Sequence, residues 1–275
     1  MHGVYSVAVL LAVAACGEEQ AATDAPSGDA RRGDASDVQA HRGYVSITMT
    51  TSSSQSYAYA GFTENLHDES PTGTSGPCTA SAYAVGTSVN NVSAGAISLS
   101  STPPLTMNPR GTKPDVIYDG ATCPTFPCTL VAVGATVTID APGTPEFPAF
   151  SATGIGPTTV AGYSLPTSLS RAAGYTATWT AGTGPRIRIQ LIAYVSAGGM
   201  CSPPTYPCTR HAALECIVPD TGSFTITPEM FALLPAGDDF ADVWIMRDGG
   251  MTVASPSVTV RVGHRIPLAQ KIPMN

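Results

Sequence analysis

RIRIQLIAYV, residues Arg186–Val195, is the most regular stretch of this 275-residue chain. Ile187, Ile189, Leu191, Ala193 and Val195 recur at every second position, and Arg186, Arg188, Gln190, Ile192 and Tyr194 fill the places between. Successive side chains of a strand point to opposite faces of its sheet, so this period predicts a strand with one apolar face. The second face begins polar and turns apolar, which predicts a strand running from solvent into a covered region.

The same period appears on both sides of this stretch. Val45, Ile47 and Met49 alternate with Tyr44, Ser46 and Thr48, and Gly174–Thr180 alternates likewise. Further strands are expected at Ser81–Val85, Ala96–Leu99, Val116–Tyr118, Leu130–Ile139, Thr158–Tyr163, Ala212–Val218, Ser223–Thr227, Ala241–Met246 and Ser257–Val262. Clusters such as Thr102-Pro103-Pro104 and Ala141-Pro142-Gly143 separate them, because proline removes a ladder hydrogen bond and marks turns or edges. One short helix is expected at Pro228–Leu234, with Thr227 as its cap, Pro228 at its first position and Glu229 at the positive end of its dipole. Short strands spaced by turn residues predict an all-β fold, an antiparallel, immunoglobulin-like β-sandwich, as one sandwich or two packed together. The expected organisation is an N-terminal β domain over 43–167 and a C-terminal β-sandwich over 168–275.

Composition agrees with strands and turns. Charged residues make up 12% of the chain, with 27 Gly and 24 Pro; a typical soluble protein carries about 25% charged residues. The net charge is −7. Phosphate binding needs clustered Lys and Arg, so a nucleic-acid partner is not expected.

The N-terminus reads as an address. The apolar run Val4–Ala15 ends at Ala14-Ala15-Cys16-Gly17. It is too short for a bilayer span of about 20 residues and has the length of a secretory signal. Small residues followed by Cys resemble the lipobox of bacterial lipoproteins, although Met1-His2-Gly3 lacks the usual Lys or Arg. The resemblance implies a signal peptide over 1–15, cleavage before Cys16 and lipidation of its thiol. It also implies a partner, the membrane, reached through this anchor. Gly17 after the Cys is compatible with transfer to the outer membrane. Residues 16–42 then form the anchor and a polar tether without apolar periodicity. Within it, Arg32-Gly33-Asp34 reads as a chance triplet, and Asn91-Val92-Ser93, further on, as a sequon left unmodified.

Seven cysteines are an odd number for an exported chain. Lipidation of Cys16 leaves six. Cys123-Pro-Thr-Phe-Pro-Cys128 and Cys201-Ser-Pro-Pro-Thr-Tyr-Pro-Cys208 are short Pro-rich loops whose ends can meet, so Cys123–Cys128 and Cys201–Cys208 are the expected disulfides. Cys78 and Cys216 remain, as a third disulfide or as two reduced thiols.

No nucleophile elbow, P-loop, HExxH or dinucleotide fingerprint occurs, and neither a catalytic site nor a cofactor is expected. His67-Asp68-Glu69-Ser70 reads as a polar loop, since adjacent residues rarely converge as a triad. A hydrolase with scattered groups would need His211 or His264 joined to a carboxylate and a hydroxyl. Asp238, Asp239 and Asp242 do not follow a calcium-loop spacing and read as a solvated turn, and no metal site is expected. Trp179 and Trp244 both read as core residues. Phe126 and Tyr206, at the tips of the two Cys loops, are the candidate contact residues for an envelope protein or polysaccharide.

A spaced set of motifs extends the reading. Phe147-Pro148-Ala149-Phe150, Ser170-Arg171, Thr178-Trp179-Thr180, Cys216-Ile217-Val218-Pro219-Asp220, Gly222-Ser223-Phe224-Thr225-Ile226 and Leu234-Pro235-Ala236-Gly237 together resemble a group of uncharacterised bacterial lipoproteins of myxobacterial type. The resemblance covers about Leu130 to Val262. It implies a secreted β-sandwich and brings no activity or binding residues with it.

Overall fold

RIRIQLIAYV becomes an inner strand of a ten-stranded sheet. A computed structural model of the chain describes residues 42–50, 57–63, 71–82, 90–100, 104–118, 121–122, 130–196, 208–255, 257–266 and 269–275. The strands of the N-terminal part are β1 (Arg42–Thr50), β2 (Tyr57–Thr63), β3 (Pro71–Ser75), β4 (Cys78–Ala82), β5 (Ile97–Leu99), β6 (Leu105–Met107), β7 (Pro109–Arg110), β8 (Ile117–Tyr118), β9 (Ala121–Thr122), β10 (Thr136–Ala141) and β11 (Phe150–Ile155). There follow β12 (Tyr175–Thr178), β13 (Arg186–Ser196), β14 (Cys208–Val218), β15 (Ser223–Ile226), the helix α1 (Pro228–Phe231), β16 (Phe240–Asp248), β17 (Thr252–Val253), β18 (Val258–Arg265) and β19 (Ala269–Pro273).

The large sheet has the order β3-β4-β14-β13-β16-β18-β1-β2-β9, with β19 paired to the first part of β16. Its pairs are antiparallel except β1 with β18, which run parallel from Gly43↔Val258 to Thr50↔Arg265. A five-stranded sheet, β17-β11-β10-β5-β6, and the two-stranded ribbon β12-β15 make up the other layer. The protein is an all-β sandwich.

Two apolar clusters lie along the inner face of the large sheet. The first joins Val45, Ile47, Val260 and Val262 to Ile97, Val137, Ile139 and Phe150 of the five-stranded sheet. Phe62 is its hub, with ring centroids 4.7 Å from Phe147, 5.3 Å from Tyr118 and 5.7 Å from Phe150. A Cβ at Gly43 would sit 2.7 Å from the Phe62 ring and 2.9 Å from Phe147, so glycine there makes room for both rings. The second cluster joins Ile187, Ile189, Leu191, Leu214, Val243 and Ile245 to Ala177, Trp179, Ile226, Phe231 and Leu234. Each fully buried Phe or Leu contributes about 1.5–3 kcal/mol of transfer free energy.

These clusters do not follow a division at residue 167. β4, with β3 on its outer edge, comes from the N-terminal half and pairs onto β14, while β18 comes from the C-terminal half and pairs onto β1. Strands from both halves share the large sheet, and Gln39–Asn275 form one compact unit.

A buried ion pair fills the junction between the clusters. Along β16, Ala241, Val243 and Ile245 face inward, and Arg247 follows in the same phase, 2% exposed. Its Nε donates to Asp220 Oδ2 at 2.6 Å, Nη1 to Thr158 Oγ1 at 3.1 Å and to the Thr159 carbonyl, and Nη2 to the Thr180 carbonyl at 2.7 Å. Asp220 also accepts Trp179 Nε1 at 2.7 Å and the Gly182 N–H at 3.3 Å. Burial alone would raise the Asp220 carboxyl, but hydrogen bonds from Arg247 and Trp179 outweigh it and hold the group below the usual carboxylate range. Gly182 and Gly184 lie against the guanidinium and its stem, where an added Cβ would come within 2.5 and 2.7 Å.

Several local expectations change. Leu130–Ala135 is a loop, with Leu130 and Val131 both buried and Gly134 at φ +74°, so only Thr136–Ala141 is strand. Thr158–Tyr163 is not a strand, because its backbone turns toward Arg247 and His264. The helix is one turn, Pro228–Phe231, and Thr227 makes no side-chain cap bond. Cys78 and Cys216 form a disulfide across the directly opposed β4–β14 pair. Cys16, Cys123, Cys128 and Cys201 lie outside the described residues, as do Phe126, Tyr206 and His67-Asp68-Glu69-Ser70, and of Cys208 only its place at the start of β14 is described.

The disulfide closes a separation of 138 residues. Replacing Cys78 and Cys216 with Ala should lower the unfolding free energy by about 2–5 kcal/mol in urea titrations. Asp220→Ala leaves the Arg247 charge buried without its carboxylate and should cost about 3–5 kcal/mol by the same measurement.

Candidate functional site

The outer face of the large sheet carries the chemistry. Residues out of phase with the core point to this side: Tyr44, Ser46 and Thr48 from β1, Tyr59 from β2, Arg188 and Gln190 from β13, Trp244 and Met246 from β16, and Arg261 and Arg265 from β18. They line one cleft across five neighbouring strands, of about 80 Å³. Sites that engulf a drug-sized ligand run to roughly 300–1,000 Å³. This cleft has room for a small polar group, with the remainder of any ligand lying over the sheet.

Three arginines line it, Arg188, Arg261 and Arg265, and Arg186 follows in the phase of Arg188 on the same face. Asp248 Oδ2 accepts Arg186 Nε at 2.9 Å and Arg188 Nη2 at 3.1 Å. Glu215 bridges Arg188 to Arg261, with Oε1 2.5 Å from Arg188 Nη1 and Oε2 3.3 Å from Arg261 Nη2. The Arg261 guanidinium lies 5.1 Å from the centre of the Tyr44 ring, and that of Arg265 lies 4.4 Å from Trp244. Tyr44 and Tyr59 are 5.4 Å apart, tilted at 43°, and Tyr59 is 42% exposed. Burial works to discharge Arg261, while Tyr44 and Glu215 more than offset it and hold the guanidinium above its ordinary value. Arg188 Nε, Arg261 Nε and Trp244 Nε1 are sealed from solvent without a hydrogen-bond acceptor among the described residues.

Trp179 and Trp244 therefore part company. Trp179 is a core residue, 4% exposed. Trp244 is half-buried on the opposite face of the sheet, which corrects its reading as core. Its place was available in the sequence: it shares the phase of Asp242 and Asp248, not that of Val243 and Ile245.

The histidines and the aspartate turn also differ from expectation. Asp238 and Asp242 are buried, at 3% and 6% exposure, and are not a solvated turn. Asp238 Oδ1 is 2.7 Å from His211 Nδ1, and Arg171 stands 4.0 Å from Oδ2 while donating to the carbonyls of Leu234 and Pro235. Asp242 accepts the Tyr194 hydroxyl at 2.7 Å and the Lys271 N–H at 2.9 Å. The described residues contain no group of three His, Cys, Asp or Glu placed to hold a metal. His211 thus has its carboxylate, but no hydroxyl among the described residues bonds to it. Among the described residues no carboxylate bonds to His264; its Nδ1 accepts the Val160 N–H at 3.3 Å, beside Arg247 in the register.

No family model matches the sequence, and no curated protein is detectably similar to it.

Burial, joined by the charge of Arg247, pushes His264 down from 6.5 to about 4. Between these values the unfolded chain takes up a proton that the folded chain refuses. Stability should therefore fall as the pH drops from 6.5 to 4, by on the order of 2 kcal/mol, and urea midpoints across this range should flatten in His264→Gln.

Proposed function

We propose that the protein is a lipid-anchored component of a bacterial cell envelope, held through Cys16, whose β-sandwich binds an envelope or matrix component without catalysing a reaction. The observation that carries the binding role is the aromatic and arginine-lined cleft on the outer face of the large sheet. A sheet face with no binding role has no need of four arginines in a chain that holds only 13 Lys and Arg in all. Arg261 and Arg265 are half-buried, and guanidiniums held in place there offer planar, paired donors to a partner's oxygens. Tyr59, exposed beside Tyr44, offers a ring face on which an apolar sugar surface or a side chain packs.

Attachment follows the lipobox resemblance. One acyl chain holds a protein only marginally, and two or more hold it stably. No helix among the described residues is long and apolar enough to cross a membrane. An adhesion module contacting sugars or proteins is the same mechanism with the partner on another cell. The hydrolase reading draws on the His211–Asp238 pair, and it requires a nucleophile that the described residues do not bring to His211.

In cells, Cys16→Ala should move the protein from the membrane pellet to the soluble fraction, and mass spectrometry of the wild type should find acyl chains on Cys16. Retention of the Ala variant in the pellet would overturn the anchor. Tyr59→Ala should weaken binding to isolated envelope material at least about tenfold. Equal binding by that variant, with loss on Phe126→Ala or Tyr206→Ala, would move the contact surface to the Cys loops.

A further inference from the structure

Resting on the reading that the outer face binds, we propose that its ligand is an acidic polysaccharide, seated by a sugar carboxylate on Arg261 and by a sugar ring on Tyr59. The internal carboxylate of Glu215 marks how such a group is held. It is gripped between the guanidiniums of Arg188 and Arg261, 2.5 and 3.3 Å away, at the edge of the cleft. Arginine presents planar, paired donors that match a carboxylate.

Charge and shape narrow the class. The face sets four arginines against Glu215 and Asp248, a modest positive excess on a chain of net charge −7. Duplex DNA carries one charge per ~1.7 Å of its axis, too dense for so small an excess within a negative protein. A polymer with about one carboxylate per sugar or fewer suits it. Ser46, Thr48 and Gln190 line the same cleft and supply partners for sugar hydroxyls. From β13 to β2 the strands span roughly 19 Å, the reach of an oligomer rather than a single ring. The small volume of the cleft fits one carboxylate, with the chain lying across the sheet.

The test is affinity electrophoresis or calorimetry of the full chain in detergent with polygalacturonate and alginate as acidic polymers, dextran and a β-glucan as neutral ones, and single-stranded DNA. The acidic polymers should bind, the neutral ones should not, and binding should weaken at least about tenfold between low and high salt. Arg261→Gln should reduce binding at least about tenfold with an unchanged melting curve. Glu215→Gln removes the competing internal carboxylate and should tighten binding severalfold, a gain that damage to the fold would not give. Neutral polymers bound as well as acidic ones, with Tyr59→Ala still impaired, would overturn the acidic ligand and leave the binding face standing. Preference for DNA would overturn the polysaccharide assignment in the same way. Failure to bind any polymer or isolated envelope material would overturn both readings.

Discussion

Arg247 is the constraint around which the sandwich is organised. Its neighbours in phase along β16 are Val243 and Ile245, so the strand's own geometry drives a permanent charge into the interior. A buried guanidinium is tolerable only if its hydrogens are matched, and Asp220, Thr158, Thr159 and Thr180 do so. Those four residues come from three separate loops. The need to satisfy one cation therefore fixes the paths of segments that have no ladder of their own. It also explains why Thr158–Tyr163 abandons strand pairing and why Gly182 and Gly184 pass so close to the side chain.

The same residue separates the two apolar clusters. Val258, Val260 and Val262 of β18 belong to one, Ile245 of β16 and Ile266 to the other, and Arg247 opposes His264 where they meet. One continuous sheet thus serves two interiors, with a polar plug between them. On the reverse side of the same strands lie Trp244, Met246, Arg261 and Arg265. The cleft sits behind the plug because both arise where β16 and β18 come together. Rigid ladders on five strands hold its side chains, so a contact there needs little ordering.

The alternation of β13, β16 and β18 was readable because each strand buries one face in aliphatic side chains. The same count, carried to the opposite phase, would have put Trp244, Arg261 and Arg265 on a shared outer face and flagged Arg247 as a charge in a core position. What local pattern does not contain is partnership. Tyr44 and Arg261 are 217 residues apart, and nothing within either strand announces that they lie side by side. The Leu130–Ala135 run shows another limit: Leu130 and Val131 are adjacent and both buried, which a loop tucked under a sheet allows and a half-buried strand forbids. Cysteine counting left Cys78 and Cys216 over, but the pairing itself rests on the opposition of β4 and β14.

The parallel union of β1 with β18 has a consequence for how the molecule comes into being. A ribosome delivers the first of these strands more than two hundred residues before its neighbour. Until position 265 has left the exit tunnel, the early segment has β2 on one flank and an unmet row of amides and carbonyls on the other. Closure of the large sheet through this pair therefore waits until nearly the whole chain has been made.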